Sequence, residues 1–141
     1  MVVKQILYNS NDYWKIVQIR EIVLRLPLGL RFSLAEIQKE SEELIFGIQV
    51  NNQWIGSCQY QIFNNEAKMR QVAILDAYKR KGYGKELVLA TMEILKQKGI
   101  QKIYCHARAS AVPFYENLGF QTISEQFLEV NIPHFKMQKF I

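Results

Sequence analysis

The sequence predicts an α/β domain: a mixed, mostly antiparallel sheet with a central parallel pair, flanked by helices. Three observations carry this. Strand-like runs at 44–50, 54–63 and 67–75 follow one another with only Asn51-Asn52 and Asn64-Asn65 between them, and such short asparagine turns join antiparallel neighbours. An amphipathic helical run from Gly82 to Gly99 then separates the third strand from a fourth at 101–107, and a strand–helix–strand unit of this length makes a parallel pair through a right-handed crossover. A short helical stretch at 109–118 leads into two further strand-like runs, 120–130 and 132–141.

Taken in order, residues 2–8 read as a strand, and Ser10-Asn11-Asp12 is a capping cluster opening a helix over 13–26 that stops before Pro27. Arg20 and Arg25 lie on that helix. A second, short helix with several acidic residues spans 33–43. In the helix after Gly82, Leu87, Val88, Thr91, Met92, Ile94 and Leu95 fall on adjacent i, i+3, i+4 rows, whereas Lys85, Glu86, Glu93, Lys96 and Lys98 face water. The helix closes on Lys98-Gly99, and Gly119 closes the next one.

The 141 residues form one domain by size, residues 1–141, long enough to bury a core. With 49% hydrophobic and 22% charged residues the composition is that of a globular protein in water. No leader and no apolar run of membrane length is present, so the chain reads as cytoplasmic, with no membrane partner. Cys58 and Cys105 lack paired spacing, and with two histidines in all, no metal cluster is expected. A net charge of +5 suggests an anionic partner. The basic residues gather at one helix terminus with only Tyr78 and Tyr83 interleaved, which argues against nucleic acid.

That terminus carries the chemistry. Lys79, Arg80, Lys81 and Lys85 crowd the start of the helix, with Gly82 and Gly84 among them. A helix N-terminus carries partial positive charge, so each cation there costs about 0.3–1 kcal/mol unless an anion sits between them. Its first amides lack intrahelical partners, and glycine lets the backbone approach an oxyanion closely. The stretch is built to hold a phosphate group. It is neither a Walker loop, whose spacing is absent, nor a dinucleotide fingerprint, which needs a third glycine where Leu87 stands.

Lys79-Arg80-Lys81-Gly82-Tyr83-Gly84 resembles the (Arg/Gln)-x-x-Gly-x-(Gly/Ala) pyrophosphate loop of the GNAT acetyltransferases, with Lys79 where the family has Arg or Gln. The resemblance implies that residues 79–85 hold the pyrophosphate of acetyl-CoA and that the strand bearing Val72, Ala73 and Ile74 runs along its pantetheine arm. It also implies a splayed central parallel pair with the cosubstrate in the gap. Phe114-Tyr115-Glu116-Asn117-Leu118-Gly119-Phe120 resembles the family's Phe-Tyr-x-x-x-Gly-Phe helix end, whose tyrosine protonates the departing thiolate. A phenol, with an ordinary pKa of about 10, stays protonated near neutrality and can donate.

Finer matches narrow the branch. Leu24-Arg25-x-Pro27, Met69-Arg70-Gln71-Val72-Ala73, Cys105-His106-Ala107-Arg108-Ala109-Ser110 and Ile132-Pro133-His134-Phe135-Lys136-Met137 resemble the glyphosate N-acetyltransferase-like and YjcF-like enzymes. Carried across, His134 is the general base, and Arg25, Arg70 and Arg108 line the acceptor pocket. His106 departs from the asparagine of close relatives. On strand alternation, Arg70 is expected on one face with Val72 and Ile74.

The expected activity is direct transfer of acetyl from acetyl-CoA to the amine of a small anionic acceptor, an amino acid or phosphorylated amine. A backbone amide, by analogy that of Val72, stabilises the oxyanion. The alternative is a non-catalytic acyl-CoA-binding sensor or interaction module. A homodimer stays open, because nothing in the sequence fixes oligomeric state.

Overall fold

Pairing runs in chain order over the first half of the sheet. In the computed structural model, which describes residues 1–141, β1 (Val2–Ile6), β2 (Leu44–Val50), β3 (Gln53–Phe63) and β4 (Glu66–Ile74) form an antiparallel series. The 51–52 and 64–65 turns each connect strands across two residues, with Asn51, Asn52 and Asn64 at positive φ. Asparagine tolerates that region, and such turns match the twist of the strands they join.

β5 (Lys102–Arg108) lies parallel to β4, reached through α3 (Tyr83–Gln97). The remaining strands are β6 (Gln121–Thr122), β7 (Phe127–Glu129) and β8 (Ile132–Phe140), where β8 pairs with β5 on one edge and with β6 and β7 on the other. Of the helical runs before β2, α1 (Asn11–Arg20) packs Tyr13, Ile16, Val17 and Ile19 against Ile6 and Ile45 on one face of the sheet. α3 buries Leu87, Val88, Met92 and Leu95 against Phe46, Tyr60 and Met69 on the other.

Three expectations change. The helix expected over 13–26 is α-helical only to Arg20; Glu21–Arg25 widens to a π turn and Leu26–Leu28 tightens to a 3₁₀ turn at Pro27, ending on left-handed Gly29. Proline cannot donate to the ladder, and a π turn re-aims the side chains along it. In the 33–43 stretch only α2 (Leu34–Gln38) is α-helix, opened by a Ser33/Glu36 capping box, and Lys39–Glu42 continues as 3₁₀. The 120–130 run is two short strands rather than one. Ser124 Oγ accepts from the Lys136 amide, so a side chain replaces the backbone partner there and the ladder lapses. α4 (Val112–Asn117) precedes them, with Pro113 in its first turn.

Two irregularities in β4 position the site. Ser57 pairs with Ala73 but Gln59 pairs with Arg70, so β4 carries one extra residue there, and Gln71 has a φ of 55°. This bulge breaks the alternation. Arg70 shares its face with Ala73, opposite Ile74 and Met69, so Arg70, Val72 and Ile74 do not form the single row expected from the sequence. The second irregularity is that β4 and β5 pair only from Glu66↔Lys102 to Met69↔Cys105. Beyond that point β4 continues with β3 and β5 continues with β8, and the two part.

Candidate active site

The gap left where β4 and β5 part is a cavity of about 380 Å³. Arg70, Gln71 and Val72 line it from β4, and His106, Ala107 and Arg108 from β5. Leu24 and Arg25 come from the π turn, Tyr115 from α4, and Glu129, Val130 and His134 from the β7–β8 hairpin. The residues singled out in the sequence as acid, base and acceptor ligands therefore face one space, although they come from five segments of the chain.

His134 is buried and paired in register with Arg108 of β5 and Phe127 of β7, whose ring it stacks on at 6.0 Å. Its Nδ1 lies 2.7 Å from the Ile132 carbonyl. A carbonyl only accepts, so Nδ1 carries the proton and, in the neutral ring, Nε2 presents a lone pair. That tautomer is the one a general base needs.

Tyr115 is wedged between Phe114 and Phe120, with ring centroids at 5.0 and 5.5 Å. Its hydroxyl has no hydrogen-bond partner in the protein. Burial, and after it the nearby Cys105 and Cys58, push the phenol well above its ordinary value, so it is a more reluctant acid than an exposed tyrosine and is fully protonated at neutral pH. Burial likewise pushes the Cys105 thiol up to about 12, against a smaller opposing pull from Lys68. A thiol so held is not a nucleophile near neutrality.

The three arginines differ in how free they are. Arg70 Nη1 donates to Glu43 Oε1 at 2.6 Å, and Glu43 is buried. Arg25 stacks over Phe32 at 4.6 Å and reaches Glu36 at 3.4 Å. Arg108 donates only to the Leu24 carbonyl at 3.1 Å and has no acidic partner. Lys68, not anticipated from the sequence, also lines the cavity. Burial, then the charge of Arg70, lower its pKa.

Glu129 and His106 were also missed as functional candidates. Glu129 Oε1 accepts from His106 Nδ1 at 3.1 Å and its Oε2 lies 3.6 Å from His134 Nε2, so both histidines of the chain meet one carboxylate. Partial burial alone would raise the Glu129 pKa, but the His106 hydrogen bond and the charges of His106, His134 and Lys68 outweigh it and hold the pKa below the ordinary carboxylate value. The only signal in the sequence was His106 standing where relatives have asparagine.

At the far end of β4 the basic turn has the form a phosphate ligand needs. Gly82 caps α3 in the left-handed region, at φ 86°, with no side chain closing the first amides. Arg80, Lys81 and Lys85 are exposed around it, and a Cβ at Gly82 would meet nothing within 4 Å. Lys79 is not free: its Nζ lies 2.8 Å from Asp76. Open amides at a helix start suit a pyrophosphate, and the parted strands leave room for an extended arm. No group of three or more His, Cys, Asp or Glu side chains is arranged to hold a metal ion, and no helix is long and apolar enough to cross a membrane.

An open mixed sheet with a parted parallel pair, and a bared helix start following β4, is an arrangement suited to an extended, phosphate-bearing cosubstrate. Residues 32–141 match the family model described as "Acetyltransferase (GNAT) domain", and the chain belongs to that family of acetyltransferases. Its cosubstrate is acetyl-CoA.

Among its relatives, the uncharacterised protein YyaT of Bacillus subtilis strain 168 is 33% identical over 103 residues, covering 73% of this chain and 68% of YyaT. The uncharacterised N-acetyltransferase YjcF of the same strain is 26% identical over 105 residues, 74% of each chain. Among solved structures, Escherichia coli ElaA superposes with a TM-score of 0.84 at 17% identity, covering 99% of both chains. An aminoglycoside 6′-N-acetyltransferase complexed with coenzyme A gives 0.81 at 12% identity, covering 99% of this chain and 97% of that one.

Proposed function

We propose that the protein transfers the acetyl group of acetyl-CoA to the amine of a small anionic acceptor, an amino acid or a phosphorylated amine, directly within a ternary complex. One observation carries the reading: Tyr115, His134, Arg25, Arg70 and Arg108 line a single cavity at the parting of β4 and β5. Arg108, with no acid of its own, is the principal anion ligand, and Arg70 and Arg25 contribute the donors left over from Glu43 and Glu36.

In the reaction, His134 Nε2 takes a proton from the acceptor's ammonium, and the freed amine nitrogen bonds to the thioester carbon. The oxyanion is met by the Val72 amide beside the Gln71 bulge. As the carbon–sulfur bond breaks, sulfur takes the Tyr115 proton, and the second amine proton leaves as the amide forms. The second amine proton and the one held by His134 pass to solvent and Tyr115 takes one back from it, so one proton is released net per turnover. The raised thiol pKa of Cys105 argues for this route over a covalent acetyl-cysteine. Cations at Lys79, Arg80, Lys81 and Lys85 and the amides from Gly82 through Tyr83 and Gly84 hold the pyrophosphate, while β4 at Val72, Ala73 and Ile74 lies along the arm.

The test is a screen of amino acids, phosphorylated amines, polyamines and uncharged amines against acetyl-CoA, following free thiol. Acetylation of anionic amines is expected. Turnover of only uncharged or cationic amines would overturn the assignment.

A further inference from the structure

On the wall of the cavity formed by the β7–β8 hairpin, two groups that can act as hydrogen-bond acceptors stand side by side. His134 Nδ1–H is committed to the Ile132 carbonyl at 2.7 Å, so Nε2 of the neutral ring is a lone pair. Glu129 is an ionised carboxylate, anchored through Oε1 by the His106 Nδ1–H donor at 3.1 Å. Its second oxygen lies 3.6 Å from His134 Nε2, so with the ring neutral both atoms present lone pairs to one space. Two unshared acceptors at this separation are satisfied by one donor carrying at least two N–H bonds. Glu129 is also the one acid among residues that otherwise bring Arg25, Lys68, Arg70 and Arg108 to the same space.

The geometry points to Glu129 as the ligand of the acceptor's ammonium group, which bridges Glu129 Oε2 and His134 Nε2 before losing a proton to the histidine. The inference rests on the acetyl-transfer reading above and adds the residue that binds the acceptor's ammonium. With cations lining much of the cavity and one carboxylate beside the base, the acceptor is zwitterionic, bearing an ammonium and an anionic group on one small skeleton. An anion lacking an ammonium fills only half the site, and a simple alkylamine fills the other half.

The hairpin is built to hold this carboxylate. Glu129 pairs with Ile132 across Val130 and Asn131, which take φ values of 46° and 59°. A β-branched residue rarely adopts a left-handed conformation, so the tight turn at Val130 is held by its surroundings. His106 acts as a positioning residue: it touches Glu129 and orients it.

The experiment follows the His134 ring nitrogens by ¹⁵N NMR in the intact protein, with methylammonium as the minimal probe and acetate as the control. In the wild type a saturable shift of Nε2 with methylammonium is expected, and none with acetate. In Glu129→Gln the methylammonium affinity should fall about tenfold or more, as for loss of a charge-assisted hydrogen bond. His106→Asn, which keeps a donor beside Glu129, should retain most of it. No shift in the wild type, or an equal affinity in Glu129→Gln, overturns the assignment. This readout needs no turnover, so it is separable from the acceptor screen: a silent screen would count against the acetyl-transfer reading, whereas the NMR titration decides the ammonium ligand.

Discussion

Arg70 Nη1 and Glu43 Oε1 share a 2.6 Å hydrogen bond that ties the cavity to a buried polar layer beneath α1. Glu43 Oε2 also accepts from Gln59, whose amide oxygen accepts from Arg20, and Arg20 forks onto both oxygens of Glu40. Arg20 is fully buried, and its charge is compensated by Glu40 and Gln59 at both terminal nitrogens, while Nε has no partner. A side chain on the cavity wall is thus positioned by a polar network on its own face of the sheet, reaching back to α1.

Glu43→Gln should break that chain in two places, leaving Arg70 without its carboxylate and Gln59 with a poorer partner. We expect a loss of about 1–3 kcal/mol of stability, read as a lower midpoint in urea. An unchanged midpoint would mean that Arg70 does not depend on Glu43.

Tyr115→Phe tests the proposed proton donor. The hydroxyl has no protein partner, and the ring keeps its packing on Phe114 and Phe120, so the melting temperature should hold. The rate of thiol release at saturating acceptor should fall by about 10²–10⁴, the usual worth of a general acid, with acetyl-CoA affinity little changed. Full retention of rate would remove Tyr115 from the mechanism.

The phosphate turn is tested by binding alone. Gly82→Ala meets no steric obstacle but must hold φ 86°, a strain of about 1–2 kcal/mol for a residue with a Cβ. Neutralising Arg80 and Lys81 removes charge without touching the backbone. Each change should weaken acetyl-CoA in calorimetry, and the charge variant should also flatten the salt dependence of binding. Identical affinities would place the pyrophosphate elsewhere.

Alkaline pH should destabilise the fold through its buried thiols. Burial raises Cys58 and Cys105 from an ordinary 9.0 to about 12. The stability this represents is fully present below pH 9, where the unfolded thiols are protonated too. It is lost as pH rises toward 12, because only the unfolded chain releases those protons. Each thiol contributes a slope of about 1.4 kcal/mol per pH unit in that window. Melting temperatures between pH 8 and 11 should fall, and less steeply in Cys58→Ala or Cys105→Ala; parallel curves would exclude the thiols as the cause.

Features that depend on a few neighbouring residues were legible in the chain: the Asn51-Asn52 hairpin, the Ser10 cap, the apolar stripe of α3 and the bared helix start at Gly82. Turn dihedrals, caps and helical periodicity are set locally, so they leave a readable pattern. The family resemblance added Tyr115, His134 and the arginines, each of which lines the cavity.

Relations between distant segments were not legible. The Gln71 bulge is a mismatch in the β3–β4 register, and no local pattern announced that Arg70 would turn from Ile74 toward Glu43. Glu129 looked like any surface acid until the β7–β8 turn and the β5–β8 register brought it to His106 and His134. Register is decided by the packing of whole faces, and a shift of one residue moves a side chain to the opposite face. The chain alone presents a bared, basic helix start after a strand, the form a phosphate ligand needs. Tertiary pairing decides which charges around the cavity are free: Arg70 and Arg25 are paired with acids, Arg108 is not, and one carboxylate stands beside His134.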